Sequence, residues 1–171
     1  MNEIGAKITK ECHREAESCL YTSVTFFEWL KSLRFWRRVC IATPIALGGV
    51  GTWSVLDQPD NEILIWTTAA MTLTAGILPA IYEALKVEVH IAGVAETAGE
   101  FKNLQDRFRQ LAEIHSLDSP TEIADRFENL MHRLEAARSR SYTPPERFFG
   151  RAQKKIQAGH YSFASDCKSS D

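Results

Sequence analysis

Along this chain charged and apolar positions alternate with a helical period at both ends and separate completely in the middle. Residues 39–56 are 18 positions without a charge, and residues 63–82 are 20 more. Between them stands the acidic stretch Asp57-Gln58-Pro59-Asp60-Asn61-Glu62. At about 1.5 Å per helical residue the two runs reach roughly 27 and 30 Å. The hydrocarbon core of a bilayer is roughly 30 Å thick, so each run just suffices to cross it. The pattern predicts an all-α chain built on a two-span transmembrane helical hairpin, with helical arms on either side.

A soluble bundle can also bury an uncharged hairpin, and the first run is weakly apolar, with Thr43, Pro44, Gly48, Gly49, Gly51 and Thr52. Two consecutive charge-free runs of this length still favour lipid. Trp53 and Trp66 near the acidic loop, and Trp36 and Tyr82 near the opposite ends, form an aromatic belt. Lys31, Arg34, Arg37 and Arg38 precede the first run and Lys86 follows the second, whereas the loop has no Lys or Arg. By the positive-inside rule both termini face the cytoplasm and loop 57–62 faces out, as a multi-pass protein of a cell membrane. A loop this short makes the spans antiparallel neighbours.

The expected organisation has five parts. Residues 1–38 form an amphipathic juxtamembrane helix and 39–82 the hairpin. Residues 83–117 form a helical extension, 118–160 C-terminal helices and 161–171 a flexible tail. In the first arm Ile8, Cys12, Ala16, Cys19, Phe26, Phe27, Leu30 and Leu33 recur at helical spacing, as does Ile4. Lys7, Lys10, Glu11, Arg14, Glu15 and Glu17 are expected on its solvated face. The β-branched and aromatic patch Val24-Thr25-Phe26-Phe27 is a candidate break. From Glu83 the helix is expected to run on to His115, with Val94, Ala98, Phe101, Leu104, Phe108 and Leu111 in a heptad-like stripe and Lys102, Asp106, Arg107, Arg109 and Glu113 outside it. Ser119-Pro120-Thr121-Glu122 reads as a capped helix start, with Ile123, Phe127, Leu130, Met131 and Leu134 inward. Thr143-Pro144-Pro145-Glu146 opens a last helix ending near Ala158-Gly159.

Composition adds constraints rather than chemistry. A net charge of -2 over 171 residues implies no strongly charged partner, and no direct nucleic-acid binding is expected, because topology accounts for the basic cluster before residue 39. Cys12, Cys19, Cys40 and Cys167 form no CxxC pair, and disulfides are not expected. His13, His90, His115, His132 and His160 stand singly, without metal-ligand spacing. No phosphate-binding glycine loop and no nucleophile elbow is present, so neither an enzyme nor a cofactor is expected.

The candidate surfaces are of two kinds. Ala42, Ala46 and Gly49 in the first span, and Thr68, Thr72, Gly76 and Ala80 in the second, form small-residue ladders. Such ladders suit helix packing in lipid, or the face of a pore lined by several chains, and the hydroxyls can also bond their own backbone. Arg34, Arg37 and Arg38, with Arg147, Arg151, Lys154 and Lys155 near the end, are candidate contacts for anionic lipid or a phosphate ligand; a plain stop signal and a solvated helix face are the simpler accounts.

The layout of an amphipathic arm, two spans and a tight loop, with the tail Pro145-Glu146-Arg147-Phe148-Phe149-Gly150-Arg151-Ala152-Gln153-Lys154-Lys155-Ile156-Gln157-Ala158-Gly159-His160-Tyr161-Ser162-Phe163, resembles the SLATT family of prokaryotic two-span proteins. The resemblance implies an effector of antiphage defence that homo-oligomerises in the inner membrane and breaches it, causing cell death or growth arrest. It implies a trigger such as a nucleotide second messenger or the product of an adjacent gene, and no catalytic residues. A non-lethal membrane scaffold for a cytoplasmic partner and a soluble helical adaptor are the competing expectations.

Overall fold

Without proline before residue 44, and with one early glycine, nothing in the first arm interrupts a helical backbone. In the computed structural model, which describes residues 3–57, 62–114 and 120–161, that backbone runs unbroken as α1 (Glu3–Asp57), with Pro44 inside it. The expected arm and first span are therefore one helix, and Val24-Thr25-Phe26-Phe27 does not break it. The other described elements are α2 (Glu62–Ala84), α3 (Val87–Ile114), α4 (Pro120–Arg140) and α5 (Glu146–Gln157), so the described chain is all-helical. The chain divides into two units, Met1–Leu30 with Gly93–Asp171, and Lys31–Ala92.

The first unit is held by a continuous apolar core. The α3 stripe is placed as its spacing predicts, with Val94, Ala98, Phe101, Leu104, Phe108 and Leu111 all buried. On α1, Cys12, Cys19, Val24, Phe26 and Leu30 are buried, together with Ser23 and Thr25. Those two hydroxyls donate to the carbonyls of Leu20 (3.0 Å) and Tyr21 (2.7 Å), which removes the cost of burying them. Phe26 stacks on Phe101 at 5.9 Å, and Phe108 meets Phe127 edge-on at 6.1 Å. Fully burying one such side chain contributes about 1.5–3 kcal/mol. Ile123, Leu134 and Ala137 of α4 and Phe148 and Ala152 of α5 complete this core, while Phe127, Leu130 and Met131 are half-buried.

Two carboxylates lie in this unit where solvation cannot hold them. Glu15, expected on the solvated face, is buried; Arg14 and Arg138 bond it at 3.2 and 3.0 Å. Glu28 is buried and bonded by Lys155 Nζ at 2.7 Å. Each pair ties α1 to a C-terminal helix. The Tyr142 side chain lies against Gly93, where a Cβ would come within 2.8 Å of its hydroxyl and the ring would have to shift.

Helix ends follow local chemistry. Pro120 opens α4 at the position where its missing N–H costs nothing. Pro145 occupies the cap of α5 without a side-chain bond, so Thr143 does not cap it. At the far end Gly159 takes a φ of 77°, its N–H bonds Ile156 O and the His160 N–H bonds Lys155 O, a Schellman closure. The helix expected from Glu83 to His115 is interrupted. Lys86 adopts φ 47°, with Leu85 and Lys86 bonded back to Ile81 and Glu83, so α2 ends before α3 begins. The left-handed backbone costs a non-glycine residue about 1–2 kcal/mol, which is why composition gave no warning of it. Loop positions 58–61, the break and cap at 116–119 and the tail from 162 lie outside the described residues.

Lys155→Met leaves the Glu28 carboxylate almost buried without this partner. A loss of about 1–3 kcal/mol is expected, read by thermal or urea unfolding followed by circular dichroism. Adding Glu28→Gln should return part of it; an unchanged midpoint in the single variant would show the pair is idle.

Candidate functional site

The second unit inverts the logic of the first. Among the described residues every exposed large apolar side chain except Tyr142 and Phe149 lies in Lys31–Ala92, and every buried apolar residue except Ile91 lies outside it. Ile45 is 73% exposed, Trp66 77% and Leu73 66%. The stretch Ile65–Ala84 is long and apolar enough to cross a membrane, and none of it is buried. It overlaps the expected second span, 63–82, shifted by two residues toward α3. The expected first span forms the last part of α1, where Ile41, Ile45 and Val50 are exposed.

Within this unit α2 turns one stripe toward α1. Thr68, Met71, Ala75, Leu78 and Tyr82 are half-buried at intervals of three and four, the helical repeat. Leu33, Trp36, Arg37 and Cys40 of α1 share a small cavity of about 160 Å³ with Leu78, Ile81 and Tyr82 of α2. Pro44 and Pro79, each inside its helix, line a larger groove of about 650 Å³ with Cys40, Tyr82 and Lys86. A proline removes one backbone bond and pushes the preceding turn aside, which opens space there.

The two small-residue ladders are not the contact between these helices. Ala42, Ala46, Gly49, Thr72, Gly76 and Ala80 are exposed, and only Thr68 is half-buried. Nothing lies within 4 Å of a Cβ built on Gly48, Gly49 or Gly76. The Thr72 and Thr74 hydroxyls donate to the carbonyls of Thr68 (2.9 Å) and Ala70 (2.8 Å). A ladder at every fourth residue drifts around the helix, because four steps exceed one turn. That drift takes Thr68 to the edge of the packed stripe and leaves the later rungs open.

The candidate basic residues divide in the same way. Arg37 pairs with Glu88 at 2.7 Å, near the end of the hairpin, while Arg34 and Arg38 are exposed. On α5, Lys155 turns to Glu28, whereas Arg147, Arg151 and Lys154 are exposed. The guanidiniums of Arg147 and Arg151 lie 4.8 and 5.6 Å from the Phe148 ring centre, a cation–π arrangement that holds them flat on the helix. A further basic surface, not singled out by the spacing of either helix alone, is a groove of about 400 Å³ between α3 and α4, walled by Arg107, Arg126 and Arg133.

No group of three or more His, Cys, Asp or Glu side chains among the described residues could hold a metal ion. His132 sits 3.9 Å from both Glu128 and Glu135 on the exposed side of α4. Cys12, Cys19 and Cys40 are free thiols. Comparison with protein-family models, with curated proteins and with solved structures finds no match to this chain.

Burial pushes the Cys12 thiol up from 9.0 to about 11, with Glu11 adding to it. Cys19 is pushed equally far by burial, Arg138 opposing and Glu15 adding. The folded chain thus keeps these protons where the unfolded chain releases them. Their contribution is fully present below about pH 9 and is lost as pH rises toward about 11. Unfolding midpoints should fall with pH across that window, and Cys12→Ala with Cys19→Ala should flatten the fall. Both thiols should resist iodoacetamide at pH 8 until the chain is unfolded; rapid alkylation of the native protein would contradict their burial.

Proposed function

We propose that the chain is a multi-pass membrane protein whose residues 39–56 and 63–82 cross the bilayer as a two-span hairpin, with both termini on the cytoplasmic side. The observation that carries this is the reversal of apolar exposure between the two units. A surface carrying Ile45, Trp66, Leu73 and Ile77 in contact with water is far more apolar than a soluble surface tolerates. In lipid the same surface is in its preferred solvent, and the helical backbone is internally bonded, as a span must be. Arg34, Arg37 and Arg38 before the first span and Lys86 after the second support the orientation.

Helices in lipid associate through close packing rather than apolar burial, so exposed small residues are where they meet. Ala42, Ala46 and Gly49, with Thr72, Gly76 and Ala80, are open for a second copy of the chain. Together with the resemblance to the SLATT family, this supports an antiphage effector that homo-oligomerises and forms a pore or disrupts the membrane when triggered. The cytoplasmic helical unit receives the trigger, a nucleotide second messenger or a product of an adjacent gene. In this reading the chain is not an enzyme.

The protein should resist carbonate extraction, and induction with the neighbouring gene's product should collapse the signal of a membrane-potential dye. Thr72→Leu with Gly76→Leu should abolish that collapse while the protein stays in the membrane. Release by carbonate would overturn the hairpin. Collapse unaffected by both substitutions would overturn the pore face. A chain that stays in the membrane, never depolarises it and still binds its partner would be a scaffold.

A further inference from the structure

Arg107, Gln110 and Leu111 lie at i, i+3 and i+4 on α3, and Arg126, Asn129, Leu130 and Arg133 at i, i+3, i+4 and i+7 on α4. Each set shares one side of its helix, and the two sets line one groove. Leu111 is buried and Leu130 half-buried, which gives the groove an apolar floor. Arg107, Gln110, Arg126, Asn129 and Arg133 form its exposed walls.

The charge around this groove is one-sided. No carboxylate is among its described lining residues. On α3 two flanking cations are paired outside the groove, Lys102 with Asp106 and Arg109 with Glu113. Neither Arg107 nor Arg133 is ion-paired among the described residues. Like charges at Arg107 and Arg133 face one space, with Arg126 also on its wall, and an anion there is favoured. The planar donor fork of arginine matches the oxygens of a phosphate. Gln110 and Asn129 each offer a donor and an acceptor, the equipment for reading the edge of a base. The leucine floor can take the face of a ring. A volume of about 400 Å³ is that of a small-molecule site.

We propose that this groove binds a nucleotide carrying two or more phosphates, with Arg107, Arg126 and Arg133 on the phosphates, Leu111 and Leu130 beneath the base, and Gln110 and Asn129 at its edge. The binding stands apart from the membrane reading; only the consequence of occupancy, triggering, rests on it.

The test is calorimetry on the full chain in nanodiscs of neutral phosphatidylcholine, with ATP, pyrophosphate and adenosine as probes. ATP and pyrophosphate should bind, and adenosine should bind at least about ten-fold more weakly. R107Q with R133Q should weaken ATP at least about ten-fold, whereas R147Q with R151Q and K154Q on α5 should leave it within about two-fold. Circular dichroism checks that both variants keep their helices, as their exposed positions lead one to expect. The site is overturned if ATP and pyrophosphate fail to bind at millimolar concentration, if adenosine binds as well as ATP, if R107Q with R133Q binds ATP like the parent, or if the α5 variant loses as much. Discs containing phosphatidylglycerol should leave ATP affinity unchanged; competition there would assign the groove to lipid headgroups instead. Carbonate extraction, read separately, reports on the hairpin alone.

Discussion

Apolar surface leaves water wherever the chain allows it, and this requirement is met in two different ways here. Met1–Leu30 and Gly93–Asp171 meet it internally. Phe26, Phe101, Leu104, Phe108, Leu134 and Phe148 close on one another, leaving a surface dominated by charge. Lys31–Ala92 does not meet it internally. Two helices side by side can cover only one stripe of each, and the rest of both remains open, Ile45 and Leu73 included. Two partners can complete such a unit: hydrocarbon on its large side chains, and other helices on its small ones. The proposed membrane hairpin and its assembly follow from that single deficit.

Buried carboxylates give the core-forming unit its specificity of pairing. An uncompensated charge inside a protein is far costlier than a misplaced leucine, so Glu15 and Glu28 restrict which helices can lie beside α1. Arg138 reaches Glu15 across 123 positions and Lys155 reaches Glu28 across 127. Both cations remain partly exposed, so each pair is solvated at one end and dry at the other. The desolvation cost therefore falls mainly on the carboxylates. The same crowding that buries Glu15 holds the neighbouring Cys19 protonated, with Arg138 pulling against it.

What was readable in the sequence was whatever depends on one helix and its solvent. The α3 stripe from Val94 to Leu111 could be read because burial and heptad spacing are the same fact seen twice. Helices opening at Pro120 and Glu146 could be read because proline's chemistry is local. Glu15 could not: its position among Lys7, Lys10 and Glu11 looks solvated until Arg138 is brought to it. Lys86 carries no glycine or proline signal, so the end of α2 was hidden as well. Of the candidate surfaces, the small ladders are exposed except at Thr68, while Lys155 and Arg37 are engaged in ion pairs. The arginine groove was invisible because α3 and α4 each contribute only part of it.

The contrast between the two basic surfaces of the helical unit separates solvated charge from charge arranged around a space. Arg147 and Arg151 lie over the Phe148 ring, and the third exposed cation, Lys154, extends along the same convex helix. Water reaches such charges freely, and salt screens them within about 10 Å. Arg107, Arg126 and Arg133 instead line one concavity from two helices, over an apolar floor, though all three are exposed. Field lines in a concave, partly apolar site are focused rather than dispersed. Like charge gathered around such a space is what the proposed anion site rests on. A surface selected only for solubility would interleave a carboxylate, as α3 does on its other flank with Lys102 and Asp106.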